Sequence, residues 1–343
     1  MSTTSREVTA VPSTGIGSWP GTEFADAVKI AFAECPDLPY LPELPARGSH
    51  AQLVGRSTAL LAGLAVDLQP AGWRLTDASG RDHRAARSML RSDLDVLEEQ
   101  AQDYRGPYKI SVAGPWTLAA LMERPRGDRV LADAGARRDL DQSLAQGLAD
   151  LVAGLRRRLP GLDLLVQLDE PLLPAVLAGA VPTASGFSRH RVVDLPELSE
   201  ALAHVVELLG GADGTPVVVH CCAAGLPIDL VRRAGVSAVS VDLDQLAPAD
   251  WDALGSGVEE GLSLWLGALP TDSAPTDPPF SPDDVARRAL GPLRRLGLDP
   301  ALLTSRLVLT PACGLAGATG RGAVQALRTV RTAAGILTEQ LGD

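Results

Sequence analysis

The sequence predicts a single (β/α)8 barrel, the TIM-barrel class, with irregular N-terminal strands and a long loop after the seventh strand. Short runs rich in Val, Leu and Ile alternate with helical patterns along most of the chain, as parallel α/β folds require. Eight such runs are present. A doubly wound open sheet is the main alternative, but no Gly-x-Gly-x-x-Gly turn follows the first run.

Glycine and proline interrupt the beginning of the pattern. Residues 1–10 are expected to be disordered, and the first predicted strand, residues 11–16, runs into the turn Gly17-Ser18-Trp19-Pro20. The second predicted strand, residues 38–44, contains two prolines and is therefore expected to be irregular. Residues 64–75 are predicted to form an extended segment or a hairpin around a tryptophan.

The alternation is regular from there to the end of the chain. The remaining predicted strands are residues 108–113, 162–168, 216–222, 238–243, 262–268 and 306–310. The predicted helices are residues 51–63, 84–104, 116–122, 140–159, 195–209, 227–234, 282–296 and 321–341. Residues 124–133 are a polar loop before a helix, and residues 270–284 are the long loop. No internal repeat or low-complexity tail indicates a second domain, so residues 11–343 are predicted to form one barrel domain.

Composition narrows the class of protein. The 343 residues are 45% hydrophobic and carry a net charge of −11, which describes a soluble globular protein and argues against binding to nucleic acid. The N-terminus lacks the apolar core of a signal peptide, and no apolar run approaches the roughly 20 residues of a membrane helix. We therefore expect a cytoplasmic protein without membrane contact. Four cysteines in a reducing compartment indicate metal binding or burial rather than disulfides.

A run of β-branched residues ends in a histidine and two cysteines. In an extended strand, alternate side chains share a face, so His220 and Cys222 point together while Cys221 points away. Cys313 follows the eighth strand, and the carboxyl ends of barrel strands meet at one face. Two thiolates and an imidazole, completed by a carboxylate, suit a tetrahedral zinc site. The alternative is that the cysteines are ordinary buried ones, which is the interpretation for Cys35.

Further polar side chains stand at predicted strand ends. Asp169 shares a face with Gln167 and is expected to point inward, whereas Glu170 is expected to form supporting hydrogen bonds. A salt-bridged strand end is the alternative for this pair. His190 lies in a long loop after the fourth strand and is a weaker candidate for the site. The other strand-end candidates are Ser18, Glu43, Asp242 and Asp244.

Five motifs in chain order carry a family resemblance. They are Ile16-Gly-Ser-Trp-Pro20, Ala113-Gly-Pro-Trp-Thr117, Gln167-Leu-Asp-Glu-Pro171, His220-Cys-Cys222 and Pro311-Ala-Cys-Gly-Leu315. With them the chain resembles, over nearly its whole length, the catalytic C-terminal half of cobalamin-independent methionine synthase. The wider barrel superfamily also includes uroporphyrinogen decarboxylase and corrinoid-linked thiol methyltransferases.

The resemblance implies zinc, held by His220, Cys222 and Cys313. The family's fourth ligand is a glutamate, and the matching position here holds Asp242, which is one methylene shorter. Asp244, two residues further on the same face, is the fallback ligand.

The resemblance also implies an amino-acid site. The turn of Ile16, Gly17 and Ser18 would meet the substrate carboxylate, and Asp169 with Glu43 would meet the amine. Glu170 is grouped with these substrate-binding residues. The residues that carry the chemistry are predicted to be His220, Cys222, Cys313 and Asp169.

The predicted activity is zinc-dependent transfer of a methyl group to a thiol, with homocysteine as acceptor and methionine as product. Full-length family members carry a second, N-terminal barrel that helps to bind folate, whereas one barrel is predicted here. A methyl-folate, methylcobalamin or a methyl-corrinoid protein therefore stays open as donor. The alternatives are transfer to another thiol, a decarboxylase, which needs no metal, and a non-catalytic zinc-binding barrel.

Overall fold

The computed structural model describes residues 10–210, 214–271 and 280–342. The stretch predicted to be disordered, residues 1–10, lies outside the described residues except for Ala10. Most of the long loop predicted over residues 270–284 also lies outside them.

Six parallel strands form one sheet in chain order, from β3 to β8. They are β3 (Gly106–Ala113), β4 (Leu162–Asp169), β5 (Val217–Cys221), β6 (Ala238–Asp242), β7 (Ser263–Leu269) and β8 (Leu307–Pro311). Each strand begins and ends within two residues of its predicted bounds. The α/β class with a parallel sheet is therefore confirmed.

The first two predicted strands are not regular strands. Isolated bridges connect Ser13 to Leu309 of β8, Tyr40 to Lys109 of β3, and Ser18 to Glu43. Prolines explain the irregularity, since a proline has no N–H to donate to a strand ladder. The described residues thus contain a six-stranded parallel sheet with two extended N-terminal segments bridged to its edge strands, and these segments are irregular, as predicted.

A separate hairpin leaves the sheet between these segments and β3. Its strands, β1 (Ala65–Gln69) and β2 (Gly72–Thr76), pair antiparallel through a two-residue loop. Gly72 has φ of 134°, a backbone conformation that side chains disfavour. The antiparallel pairing confirms the hairpin interpretation of residues 64–75, and Trp73 of β2 is buried in it.

Twelve helices occur in the described residues. They are α1 (Phe24–Glu34), α2 (Leu53–Thr58), α3 (Arg81–Ala101), α4 (Pro115–Leu121), α5 (Ala134–Arg158), α6 (Leu173–Leu177), α7 (Leu195–Leu208), α8 (Ile228–Arg233), α9 (Pro248–Glu259), α10 (Pro282–Arg295), α11 (Pro300–Arg306) and α12 (Gly320–Gly342). None of the helices in the described part of the chain is long and apolar enough to cross a membrane.

Four of these helices were not predicted: α1, α6, α9 and α11. Helix α1 buries Phe24, Ala27, Val28 and Ala31, a spacing that places them on one face. Helix α5 begins earlier than predicted because Asp133 caps it, accepting a hydrogen bond from the backbone N–H of Ala136 at 2.9 Å.

The two faces of the sheet pack against different hydrophobic clusters. One face packs against the helices in the main hydrophobic core. The other face holds a small apolar cluster, which we call the inner cluster: Leu38, Val218, Ala238, Trp265 and Val308. Strand residues two positions beyond the inner cluster lie on the same face, nearer the carboxyl ends of the strands.

Candidate metal centre and amino-acid site

Polar side chains replace the inner cluster toward the carboxyl ends of the strands. His220 follows Val218 of the inner cluster by two residues, and Ser240 follows Ala238 in the same way. The register pairs His220 with Ser240 on one side and with Asp169 on the other. Neighbouring strands lie about 4.8 Å apart, so a histidine, a hydroxyl and a carboxylate meet at one end of the sheet.

Three potential metal ligands come together at this end. The ligand atoms of His220, Cys222 and Cys313 all lie within 4.8 Å of one another. His220 belongs to β5, Cys222 follows directly after it, and Cys313 follows β8. The two sulfur atoms are 3.4 Å apart.

The imidazole of His220 is oriented by one partner. Its Nδ1 atom lies 3.0 Å from the Ser240 hydroxyl oxygen. Its Nε2 atom is buried and has no hydrogen-bond partner among the described residues. A buried nitrogen without a partner is costly unless something binds it, and a metal ion would do so. The donor set of one nitrogen and two sulfurs therefore fits zinc, with a fourth position left for another ligand.

The two thiols behave as a pair. The hydrogen bond that they share lowers the pKa of Cys313 to about 4 and raises the pKa of Cys222, since it favours one thiolate over two. Burial opposes the shift at Cys313, and the nearby imidazole of His220 supports it. The shared hydrogen bond therefore favours a thiolate at Cys313 over one at Cys222.

The two candidates for the fourth ligand lie in different surroundings. Asp242 is buried, and its Oδ1 atom accepts a hydrogen bond from the backbone N–H of Asp244 at 3.0 Å. It is not a member of the group within 4.8 Å. The Asp244 carboxylate instead forms two hydrogen bonds with Arg288 of α10, at 2.6 and 2.8 Å, and is half exposed. This ion pair directs Asp244 toward α10.

One buried acid, Asp169, adjoins the metal group, and a second, Glu43, lies close enough to Asp169 to interact with it. Asp169 accepts a hydrogen bond from the Gln167 side chain at 2.7 Å, and burial raises its pKa. Glu43 is buried, and its Oε1 atom has no hydrogen-bond partner in the described chain. Burial raises the pKa of Glu43 to about 7, although Arg56 at 3.9 Å opposes the shift. A cation entering beside these carboxylates would stabilise their charged forms.

The turn of Ile16, Gly17 and Ser18 offers backbone donors. Within residues 10–210, 214–271 and 280–342, no acceptor lies in hydrogen-bond reach of their three N–H groups. Successive free N–H groups form a concavity that binds anions. A Cβ atom at Gly17 would lie 3.1 Å from the Ser111 hydroxyl oxygen, and one at Gly314 would lie 2.0 Å from that of Ser18. Both glycines therefore permit a close approach that packs the turn.

Glu170 and His190 are engaged elsewhere. The fully buried Glu170 carboxylate accepts hydrogen bonds from the backbone N–H of Trp116 at 2.9 Å and from the N–H and hydroxyl of Thr117, both at 2.7 Å. It therefore binds the beginning of α4, consistent with the supporting role expected for it. His190 lies 3.4 Å from Asp128 in an ion-pair arrangement.

Sequence reasoning did not identify three residues of this region: Lys109, Ser240 and Arg56. Lys109 is fully buried in β3. A single lysine within an apolar strand could have indicated a buried, paired charge, because lysine is rarely buried without partners. Ser240 left no such signal, because serine is common at all depths. Arg56 is buried between Asp93, at 3.1 Å, and Glu43, which lie far apart in the sequence.

Comparisons with known proteins identify a family and a similar fold. The family model described as "Cobalamin-independent synthase, Catalytic domain" matches residues 11–336. A B12-independent methionine synthase from Shewanella sp. W3-18-1, solved in complex with selenomethionine, has a similar fold, with a TM-score of 0.63 and 13% identity. The match covers 97% of this chain and 99% of that one.

A second solved structure, KGPDC from Streptococcus mutans, matches with a TM-score of 0.35 and 10% identity over 97% of this chain and 100% of that one. No curated protein matches the chain significantly. The family model covers nearly the whole chain. The chain therefore belongs to the family of cobalamin-independent synthase catalytic domains.

Proposed function

We propose that this protein is a zinc-dependent methyltransferase that moves a methyl group to the thiol of homocysteine and so forms methionine. The main support for the proposal is that a buried acid and the candidate metal ligands lie next to each other. Asp169, a buried acid, pairs in register with His220 of the metal group, one strand away. A substrate that bears both an amine and a thiol on a short carbon chain would reach both sites.

Each end of the amino acid has a recognition group. The free N–H groups of Ile16, Gly17 and Ser18 would bind the carboxylate. Asp169 and Glu43 would bind the ammonium group, which stabilises their charged forms against burial. A thiol without an amine would leave both acids buried without a cation. This argues for an amino-acid thiol over the alternative acceptors.

His220, Cys222 and Cys313 would hold the metal, with Asp242 as the proposed fourth ligand. A zinc ion bound there would supply acidity, because coordination would lower the pKa of a bound thiol enough to make it a thiolate at neutral pH. The acceptor sulfur attacks the methyl carbon as a thiolate, the S–C bond forms, and the bond between the methyl group and its donor breaks. Ser18, Asp169 and Glu43 hold the acceptor in line for this transfer.

The proposal includes a closed eight-stranded barrel. The segment before Ile16 bonds to β8, with the N–H of Thr14 3.2 Å from the carbonyl of Leu309. The second segment bonds to β3, with the N–H of Leu41 2.9 Å from the carbonyl of Lys109. Such bridges would complete the ring and bring the Ile16 turn to the metal group.

The test is methionine formation from L-homocysteine and a methyl donor labelled with carbon-13. Zinc-loaded protein is incubated separately with methyl-folate, methylcobalamin and a methyl-corrinoid protein, and the products are read by mass spectrometry. We expect labelled methionine with at least one donor and none from the Cys313→Ala variant. Methylation of an amine-free thiol but not of homocysteine would favour the other thiol transferases. A zinc-loaded protein that transfers to no acceptor would favour the non-catalytic barrel.

A further inference from the structure

Lys109 is a fully buried lysine on the inner face of β3. Its ammonium group donates three short hydrogen bonds: to the carbonyls of Gly15 at 2.6 Å and Ile16 at 2.5 Å, and to the Oε1 atom of Gln167 at 2.6 Å. An ammonium has three N–H donors, so all of them are used inside the protein. Lys109 is therefore not available to touch a substrate.

The first two bonds fix the direction of the Ile16 turn. In a trans peptide the carbonyl and the following N–H point in opposite directions. With the carbonyls of Gly15 and Ile16 drawn to Lys109, the N–H groups of Ile16 and Gly17 point away from it. The Ser111 hydroxyl, at 3.1 Å, and the Gln167 amide, at 3.0 Å, also donate to the Ile16 carbonyl.

The third bond reaches the acid that is proposed to bind the amine. Gln167 accepts from Lys109 through its Oε1 atom and donates from its Nε2 atom to Asp169 at 2.7 Å. Because both ends of its amide are engaged, the Gln167 side chain has one orientation. The position of Asp169 thus depends on Lys109 through a single intervening residue.

We propose that Lys109 is a positioning residue for both ends of the amino-acid substrate, aligning the N–H groups of Ile16 and Gly17 for the carboxylate and Asp169 for the amine. This inference rests on the proposed function, since it assigns a role within that same site. It concerns the acceptor half of the site and not the metal ligands. The binding of a bare thiol should therefore be independent of Lys109.

The shape of the lysine matters as well as its charge. The rings of Tyr40 and Trp265 lie 5.4 and 5.7 Å from the ammonium nitrogen, so the group sits in a tight aromatic enclosure. A methionine has a similar length but donates no hydrogen bond. An arginine is planar and presents its donors in a wider fork, so it would not reproduce the three bonds.

The experiment compares Lys109→Met with Lys29→Met, which changes the only other lysine, an exposed residue of α1. Calorimetry on zinc-loaded protein measures the affinity for L-homocysteine and for 1-propanethiol, which lacks both the amine and the carboxylate. In Lys109→Met we expect homocysteine to bind at least about tenfold more weakly, as the loss of charged hydrogen bonds implies, while propanethiol binding stays within about twofold. Lys29→Met should match the wild type for both ligands.

A second variant perturbs the amine half more than the carboxylate half. Gln167→Leu removes the donor to Asp169 but only one of the three side-chain donors to the Ile16 carbonyl, which keeps those of Lys109 and Ser111. It should therefore weaken the binding of 3-mercaptopropylamine more than that of 4-mercaptobutanoate, which has no amine. If Lys109→Met does not fold, this selectivity decides whether Lys109 positions Asp169 through Gln167.

The inference is overturned if folded Lys109→Met binds homocysteine like the wild type, or if it loses propanethiol equally. It is also overturned if Gln167→Leu shows no selectivity between the two partial ligands. A wild-type protein that binds propanethiol but no amino-acid thiol would contradict the proposed function itself, and this inference with it.

Discussion

The sulfur atoms of Cys222 and Cys313 lie 3.4 Å apart, although 91 positions separate the two residues in the sequence. Cys222 follows β5 and Cys313 follows β8, and two strands stand between these in the sheet. In a flat sheet, three strand spacings would place the two ends roughly 14 Å apart. The curl of the sheet therefore brings the thiols together, and the candidate metal centre depends on it.

Removing either of these thiols should abolish stoichiometric zinc binding. Cys222→Ser and Cys313→Ser each replace a thiolate ligand with a hydroxyl that stays protonated at neutral pH, so the remaining donors hold zinc weakly. Metal content measured by mass spectrometry should fall well below one zinc per chain.

The matched control is Cys221→Ala, since Cys221 is buried and bonds to the Ala223 carbonyl at 3.5 Å. It should keep its zinc at a cost of about 1 kcal/mol in stability. Full zinc content in Cys313→Ser would contradict the assignment.

Ser240→Ala should weaken zinc binding without removing a ligand. The Ser240 hydroxyl lies 3.0 Å from Nδ1 of His220, the ring nitrogen that faces β6. Loss of a group that orients a ligand typically costs about 10-fold to 100-fold in metal affinity. Competition with a chelating dye measures the change, and Ser237→Ala, at an exposed serine before β6, is the control. Equal affinities for the two variants would show that the hydrogen bond does not orient the imidazole.

The affinity for the amino acid should rise as the pH increases from 6 to 8. Burial raises the pKa of Glu43 to about 7, so this carboxyl is largely neutral at pH 6 and charged at pH 8. Only the charged form attracts an ammonium group, so L-methionine should bind up to about tenfold more tightly at pH 8. Methionine is the ligand of choice because it has no thiol to titrate. Glu43→Gln should flatten this dependence, and an unchanged slope in that variant would exclude Glu43 as its origin.

Glu170→Gln should destabilise the fold and leave substrate binding intact. The Glu170 carboxylate accepts three hydrogen bonds from the start of α4, and an amide would turn its NH2 group toward at least one donor. A loss of about 2 kcal/mol in the free energy of unfolding is expected, compared with under 0.5 kcal/mol for Glu99→Gln at an exposed site of α3. Denaturant unfolding and the dissociation constant of methionine are the two measurements. Weaker methionine binding at unchanged stability would mean that Glu170 contacts the substrate.

Patterns local in sequence predicted most of the strands. Runs such as residues 162–168 are apolar, short and bounded by turn signals, and a strand's period of two is visible in them. The same period indicates that Cys221 turns away from its neighbours, and its burial with a bond to Ala223 agrees. Helix α1 was not predicted, although the apolar spacing of Phe24, Ala27, Val28 and Ala31 is visible in the sequence.

The contacts that complete the site could not be predicted. The ion pair of Asp244 with Arg288 joins residues that only the packing of α10 brings together. The same holds for the Lys109 bonds to the Ile16 turn, which cross from β3 to a segment more than 90 residues earlier. Such long-range pairs have no periodic signature. A sequence gives the residue types at strand ends, but only the fold determines which of them meet.

The central claim is that a homocysteine thiol binds at a zinc ion held by His220, Cys222 and Cys313. Zinc-edge X-ray absorption on the zinc-loaded protein, with and without L-homocysteine, tests it most directly. The account predicts two sulfur ligands in the free protein and one additional sulfur when homocysteine is added. An unchanged sulfur count on saturation with homocysteine would contradict it.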